Sequence, residues 1–504
     1  MLRSKRWLRL LAMMLAFGLV AAACGDSDDD SGDDGSESAS ASASASEPAD
    51  EGSASASEPA DEGSSDTTEA MDDEEMADDM GGELATEGSV EIAAGTTLNL
   101  DECPDDWSAT QGVDGDEIRL GWTGPQSGQL AAFGAIGEGM QFWFDFINET
   151  APVDGKELTL VIRDDAYEAG RSVANVEEMI ETEDIFAFAH IIGTPNNLAV
   201  RPATDEACVP QLFNSTGFPF WGDPANFPWT VGNILNYVTE TEIWCTAAID
   251  EFGEGATVAA LIMNNDFGTT YLNTLKDSPV CAGLELVEEQ LHDPAAPDVT
   301  NEMTTIISSD ADVFVAGTTA AFCPQAVGAV AASEWRPAFF MSYTCNNLAS
   351  FLSAVPDEAG LLADEGAGVR MANSNKVCGD PTFADDPAIL EIEEVLAEYG
   401  GVTCADGSFS TGVLYGQLVT DLLEQTVAEW GELNRVTMMA TLWNISTSNP
   451  SYFDGATLQL DGVNDAYWTE AAVLQEVQLT DAGLVFVSVG DLVNFEGQGG
   501  SFAG

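Results

Sequence analysis

Asp164 and Asp165 stand side by side after the alternating run ELTLVIR, where a carboxylate pair could act as acid and base. The same two acids also suit the end of a strand and the capping of a turn, and that is the role expected of them. His190 and His292 are the only histidines in the chain. A histidine-based metal site or a catalytic triad is therefore not expected, and His190, inside the apolar run IFAFAHII, is expected to be a core residue. No GxSxG or HExxH motif occurs. These residues point away from catalysis, from metals and from cofactors; an extracellular hydrolase is the alternative that a turnover assay on amides or esters would reveal.

The cysteines suggest export instead. Cys24 stands alone near the N-terminus, and eight others follow from Cys103 to Cys404. An even set without CxxC spacing reads as a disulfide framework of an exported chain. Spacing alone leaves the connectivity open. Joining neighbours in sequence gives Cys245–Cys281, Cys323–Cys345 and Cys378–Cys404, and leaves Cys103 for Cys208.

The first residues agree. Arg3, Lys5, Arg6 and Arg9 precede a short apolar run that ends in Ala21-Ala22-Ala23. A basic start, a short apolar stretch and small residues form a cleaved secretory signal over residues 1–23, too short to span a bilayer. The run ending Val20-Ala-Ala-Ala-Cys24 resembles a bacterial lipobox, which implies that Cys24 is lipidated, although Ala21 stands where leucine is favoured. Residues 24–102 are expected to be an acidic tether. They are rich in Ser, Ala, Gly, Asp and Glu, SASEPADEG occurs at 44–52 and again at 55–63, and no Lys or Arg lies between Arg9 and Arg119. Such a composition buries too little apolar surface to order itself. A flexible tract of that length spans roughly 50 Å.

The whole chain has 504 residues and a formal charge of −73, from 87 acids against 14 bases. A field of that sign repels nucleic acid phosphates and anionic lipid head groups, so nucleic acid is excluded as a partner. With 45% hydrophobic residues, a large core is nevertheless affordable.

The periodicity from residue 103 onward alternates strands and helices. Residues 118–123, 157–163, 185–192 and 209–213 read as strands, with helices between them. Met140, Trp143, Phe144 and Ile147 fall on one helix face. The pattern restarts with strands at 256–263, 283–287, 312–316 and 338–342. Two successive βαβ sets predict an α/β protein with two Rossmann-like lobes built on parallel-type sheets, binding at the carboxyl ends of their strands.

The ordered landmarks Gly124-Pro125, Ser127-Gly128, Phe133-Gly134, Ile147-Asn148, Asp164-Asp165, Gly193-Thr194, Cys208-Val-Pro and Asn264-Asn265-Asp266-Phe267-Gly268 resemble the branched-chain amino acid and amide binding proteins of ABC transporters. The resemblance implies a type I periplasmic binding protein with a three-crossover hinge. Lobe one would comprise about 116–236 and 375–450, and lobe two about 237–374 and 451–490. It implies a monomer that traps a small molecule in the interlobe cleft and hands it to ABC transporter permease subunits, with the N-terminal lipid as its membrane contact. A sensory module feeding a signalling receptor is the alternative use of such lobes. Phe133 and Phe267 match aromatics that cover ligand in the family. Thr194, Ser215, Thr216, Gly217, Thr318 and Thr319 match loops that give polar contacts.

One position departs from the family. Amino-acid binders place an acid after the strand equivalent to 338–342, whereas this chain has Thr344 there. An unpaired ammonium in a closed cleft costs several kcal/mol. Either Asp266 supplies the charge or the ligand lacks an α-ammonium. Amides, urea-like compounds, carboxylates and aromatic acids stay open.

Overall fold

The run Ala256–Met263 is apolar from end to end because it is covered on both faces; of its eight residues only Thr257 is not buried. It is the heart of one of two parallel-type sheets. The structure is a computed structural model that describes residues 84–497 except 114, 353–354, 356–367, 399–401 and 405–406. The signal segment, Cys24 and most of the expected tether lie outside the described residues.

The first lobe is built from β3 (Glu117–Gly124), β4 (Glu157–Asp164), β5 (Ala187–Ala189), β6 (Gln211–Asn214) and β7 (Thr230–Gly232), preceded in the chain by the hairpin β1 (Ser89–Ala93) and β2 (Thr96–Asn99). Its sheet has the all-parallel order β4-β3-β5-β6-β7. Helices α1 (Gly134–Thr150), α2 (Ala169–Thr182) and α3 (Thr194–Glu206) connect the strands. The expected face of α1 is the buried one: Met140, Trp143, Phe144 and Ile147 all face the core.

The second lobe follows with α4 (Tyr237–Phe252), β8 (Ala256–Met263), α5 (Asp266–Asp277), β9 (Leu284–His292), α6 (Thr300–Ser308), β10 (Val313–Gly317), α7 (Phe322–Ala331), β11 (Ala338–Met341) and β12 (Val369–Asn373). The chain then returns to the first lobe with α8 (Pro387–Glu398), α9 (Gly407–Trp430), α10 (Arg435–Leu442) and a small ribbon, β13 (Ser446–Thr447) and β14 (Leu458–Gln459). It ends in the second lobe with β15 (Ala471–Thr480) and β16 (Gly483–Asn494). These two strands add antiparallel to β12, so the second sheet reads β16-β15-β12-β11-β10-β8-β9. Three crossovers therefore join the lobes, near residues 233–236, 374–386 and 470.

Several expectations shift. Residues 89–99 are not tether: Val90, Ile92, Leu98 and Leu100 are buried in the first lobe's core. Their alternation and the turn at Gly95, with φ of 62°, specify a hairpin that the acidic composition around it conceals. The last return to the second lobe comes later than residue 451, because Tyr452, Leu458, Leu460 and Trp468 pack in the first core. The strand expected at 185–192 is cut to Ala187–Ala189, and on its C-terminal side His190, with φ of 51°, leaves strand geometry at once.

Among the described residues four disulfides are present: Cys103–Cys208, Cys245–Cys281, Cys323–Cys345 and Cys378–Cys404. The first ties the segment after the hairpin to the loop before β6.

Two close contacts set the first lobe's shape. Helices α1 and α9 touch backbone to backbone: a Cβ at Gly139 would collide with the Phe409 carbonyl, and one at Gly412 with that of Ile136. This contact turns the buried face of α9, including Tyr415, toward the cleft. Arg435, buried on α10, donates to the carbonyls of Ile185, Phe186 and Cys208, and burial pushes its guanidinium down to about 9. It fastens the entries of β5 and β6, the strands whose ends open onto the cleft.

Candidate functional site

Between the lobes lies a cavity with about 1240 Å³ of empty space, its opening to solvent included. The lobes meet around it. Phe133 packs edge-on against Phe351 of the other lobe, centroids 5.7 Å apart, and Gln129 Nε2 donates to the Ala296 carbonyl at 3.0 Å.

The first-lobe wall is made by loops at strand ends. At the end of β4, Asp164 accepts from the Gln126 and Ala166 amides and from the Ser127 hydroxyl. Asp165 accepts from Thr123, Ser172 and the Tyr167 amide. The two acids thus brace a turn, and neither reaches the cavity wall. What they position is Tyr167, which lines the cavity with φ of 64°. Its ring lies over Gly193, where a Cβ would strike it. Gly193 opens α3, whose first turn has no side-chain cap. Thr194, the first residue of that helix, lines the cavity, and its hydroxyl is 2.7 Å from that of Thr216. An uncapped helix N-terminus leaves N–H groups and a positive dipole end for an anion or a carbonyl oxygen.

Ser215 lines the cavity, 3.1 Å from the phenol oxygen of Tyr415 on α9. Tyr415 lies flat on His190, ring centroids 4.0 Å apart. His190 is wholly buried with Nε2 against the Tyr415 carbonyl at 3.2 Å, and burial pushes it down to about 3. It is a neutral packing residue behind the wall, as expected of it.

The second-lobe wall hangs on a buried acid. Glu240 on α4 accepts from the Tyr343 amide at 2.6 Å and from the Tyr271 phenol at 2.7 Å. Burial pushes its carboxyl up to about 8. The chain of hydroxyls continues from Tyr271 to Ser342 at 2.9 Å and from Ser342 to Thr344 at 2.9 Å. This network shapes the turn that carries Tyr343, Thr344, Asn346 and Asn347 into the cavity. Tyr343 donates to Asn375 on the second crossover at 2.9 Å.

Of the expected contacts, Phe133, Thr194, Ser215, Phe267, Thr319 and Thr344 line the cavity. Thr216, Gly217 and Thr318 are not part of its wall. Thr216 stands behind Thr194. Gly217 packs where a Cβ would collide with the Leu235 carbonyl, and Thr318 is spent on His292 Nε2 at 2.8 Å. Asp266, the alternative source of charge, is also outside the wall. Among the described lining residues there is no Asp, no Glu and no His. The one cation, Lys376, is held by Asp386 at 2.8 Å and by the Pro450 carbonyl at 2.9 Å.

Tyr167, Tyr237, Tyr343, Tyr415, Tyr452 and Asn233 line the cavity without having been expected there. Asn233 lies on the first crossover, Tyr237 starts α4, Tyr415 is on α9, and Tyr167, Tyr343 and Tyr452 stand in the loops after β4, β11 and β13.

A family model described as periplasmic binding protein matches residues 117–462, more than half of the chain. The chain belongs to the periplasmic binding protein family. Solved structures carry the same fold at low identity. A solute-binding protein of an ABC transporter from R. palustris, in complex with 4-hydroxybenzoate, is 19% identical with a TM-score of 0.62, over 77% of this chain and 100% of that one. A branched-chain amino acid ABC transporter protein from Thermus thermophilus with bound valine is 18% identical with a TM-score of 0.65, over 75% and 96%. A fatty acid ABC transporter substrate-binding protein from Thermomonospora curvata is 18% identical with a TM-score of 0.63, over 76% and 95%. A comparison with curated proteins gives no match. Membership of this binding family implies a place outside the cytoplasm, and no helix among the described residues is long and apolar enough to cross a membrane.

Proposed function

We propose that this chain captures a small molecule bearing a carboxylate or amide oxygen and no free α-ammonium, and delivers it to an ABC importer. The absence of any acid from the described cavity wall carries the ligand class. An ammonium enclosed there would lose its hydration without gaining a counter-charge. The uncapped start of α3, with Thr194 facing the cavity, supplies the complementary place for an oxygen-bearing head group. Phe133, Tyr167, Phe267 and Phe351 give the remainder of the guest an aromatic enclosure. The lobes close on it by hinge motion, and the permease subunits recognise the closed form.

Capture without turnover is supported by the binding family to which the chain belongs. The protein works as a monomer anchored through a lipid on Cys24, which keeps the captured solute near the importer.

A thermal-shift panel of aromatic and aliphatic monocarboxylates, their amides and α-amino acids tests this reading. A ligand at 100 times its Kd adds about 2.7 kcal/mol of stability. The expected result is a rise with members of the first two groups and none with the amino acids. A rise with amino acids alone would overturn the ligand class.

A further inference from the structure

We propose that Asp465, Glu470 and Glu496 form a site for a hard divalent cation of the calcium type at the hinge. One carboxylate oxygen from each of the three lies within 4.8 Å of the others. Oxygens that share one Ca²⁺ at 2.3–2.6 Å lie at most about 5 Å apart, so the spacing suits a common ion. The donors are carboxylates only, with no histidine or cysteine in the group, which selects calcium or magnesium over softer transition metals.

The three acids come from three places in the fold. Asp465 ends the turn Asp461-Gly-Val-Asn-Asp465 in the first lobe, closed by the pairing of Asp461 with Asp465. Glu470 lies on the third crossover, directly before β15. Glu496 follows β16, the edge strand of the second sheet, and Gly497 beside it donates its amide to Glu470 at 2.6 Å. An ion held by all three would tie first lobe, hinge strand and second lobe at one point. The adjoining Thr469 hydroxyl already bonds the Asn233 carbonyl of the first crossover at 2.6 Å, so the site sits where two crossovers are joined.

Asp465 supplies a second observation beyond the clustering of acids. The residue is 6% exposed. Its Oδ2 accepts one long hydrogen bond from Gln459 at 3.3 Å, while its shielded Oδ1 receives no N–H or alcohol donor among the described residues, and what stands against the carboxyl are the acids Glu470 and Glu496. Neither Asp465 nor Glu496 has a Lys or Arg partner among the described ion pairs. A buried carboxylate oxygen without a donor is costly, and in a chain of net charge −73 two neighbouring acids add to that cost. A divalent cation removes both penalties.

Calorimetric titration of the full, chelator-stripped chain with CaCl₂ up to about 10 mM covers the range of extracellular calcium modules. The expected result is one saturable site per chain, above the weak non-saturating uptake of the acidic tract, together with a rise in melting temperature. Asp465→Asn should abolish the saturable site and the calcium-dependent rise. Glu496→Gln, at a partly exposed carboxylate, serves as second variant should the first fail to fold, and should weaken the site at least tenfold. No saturable component in the native chain, or the same component in both variants, would overturn the proposal.

Discussion

The hydroxyl of Ser215 and the phenol of Tyr415 meet at 3.1 Å on the cavity wall, joining a strand-end loop to a helix that starts almost two hundred residues later. Both groups present oxygens to the enclosed space, and the stacking of Tyr415 on His190 holds its ring in place. Tyr415→Phe keeps the stacking and removes the hydroxyl. A hydrogen bond to a neutral group contributes about 0.5–1.5 kcal/mol, so ligand affinity should fall roughly twofold to tenfold with the melting temperature of the empty protein little changed. Calorimetry with the ligand found in the panel checks this. Ser215→Ala should cost a similar amount, and the double variant less than the sum, because the two hydroxyls are partners.

The Thr194 hydroxyl sits at the start of α3, paired with Thr216 behind it. Thr194→Val retains shape and removes the oxygen. Affinity for carboxylates and amides should fall about tenfold, as for a hydrogen bond to a charged or strongly polar head group. A displacement titration comparing a carboxylic acid with its less polar ester would show the gap between them narrowing in the variant.

Glu240 gives a signed pH dependence. Its carboxyl, ordinarily near 4.5, is pushed up to about 8 by burial. Between those values the native chain keeps a proton that the unfolded chain releases. Stability from this group is therefore full below about pH 4.5, declines as pH rises toward 8 and is level beyond. Glu240→Gln removes that titration. Urea unfolding across pH 5 to 8 should show the variant gaining on the native protein by about one proton's worth of slope, up to roughly 1.4 kcal/mol per unit. Parallel curves would mean that Glu240 is ionised throughout.

The hairpin before the first lobe makes a stability prediction. Leu98 is fully buried against the first core. Leu98→Ala leaves a void there, and such truncations cost about 2–5 kcal/mol. Denaturant unfolding should show that loss; a change below half a kcal/mol would mean the hairpin is not part of the cooperative unit.

What could be read from the sequence was set by local pattern. Met140, Trp143, Phe144 and Ile147 declare their helix face because one helix alone decides it. The apolar runs read at 256–263 and 312–316 declare buried strands for the same reason, and the strands form at Ala256–Met263 and Val313–Gly317. The family resemblance reached Phe133, Thr194, Ser215, Phe267, Thr319 and Thr344 because these sit at strand ends or helix starts, where loop position follows from topology. Tyr415 was hidden. Its place depends on the backbone contact between Gly139 and Gly412, a tertiary event that leaves no periodic trace. Tyr343 was hidden for a related reason, since its turn is shaped by Glu240 about a hundred residues away. The hairpin was legible as alternation around Gly95 but lay inside a composition that argued for disorder.

Native mass spectrometry of the protein with the carboxylate and amide panel tests the central claim most directly, that a guest is enclosed between the lobes. The predicted spectrum shows one small-molecule adduct per folded chain, lost on unfolding and lost in Thr411→Trp, which fills the cavity from α9. No adduct with any member, or an adduct that survives undiminished in the filled variant, would contradict it.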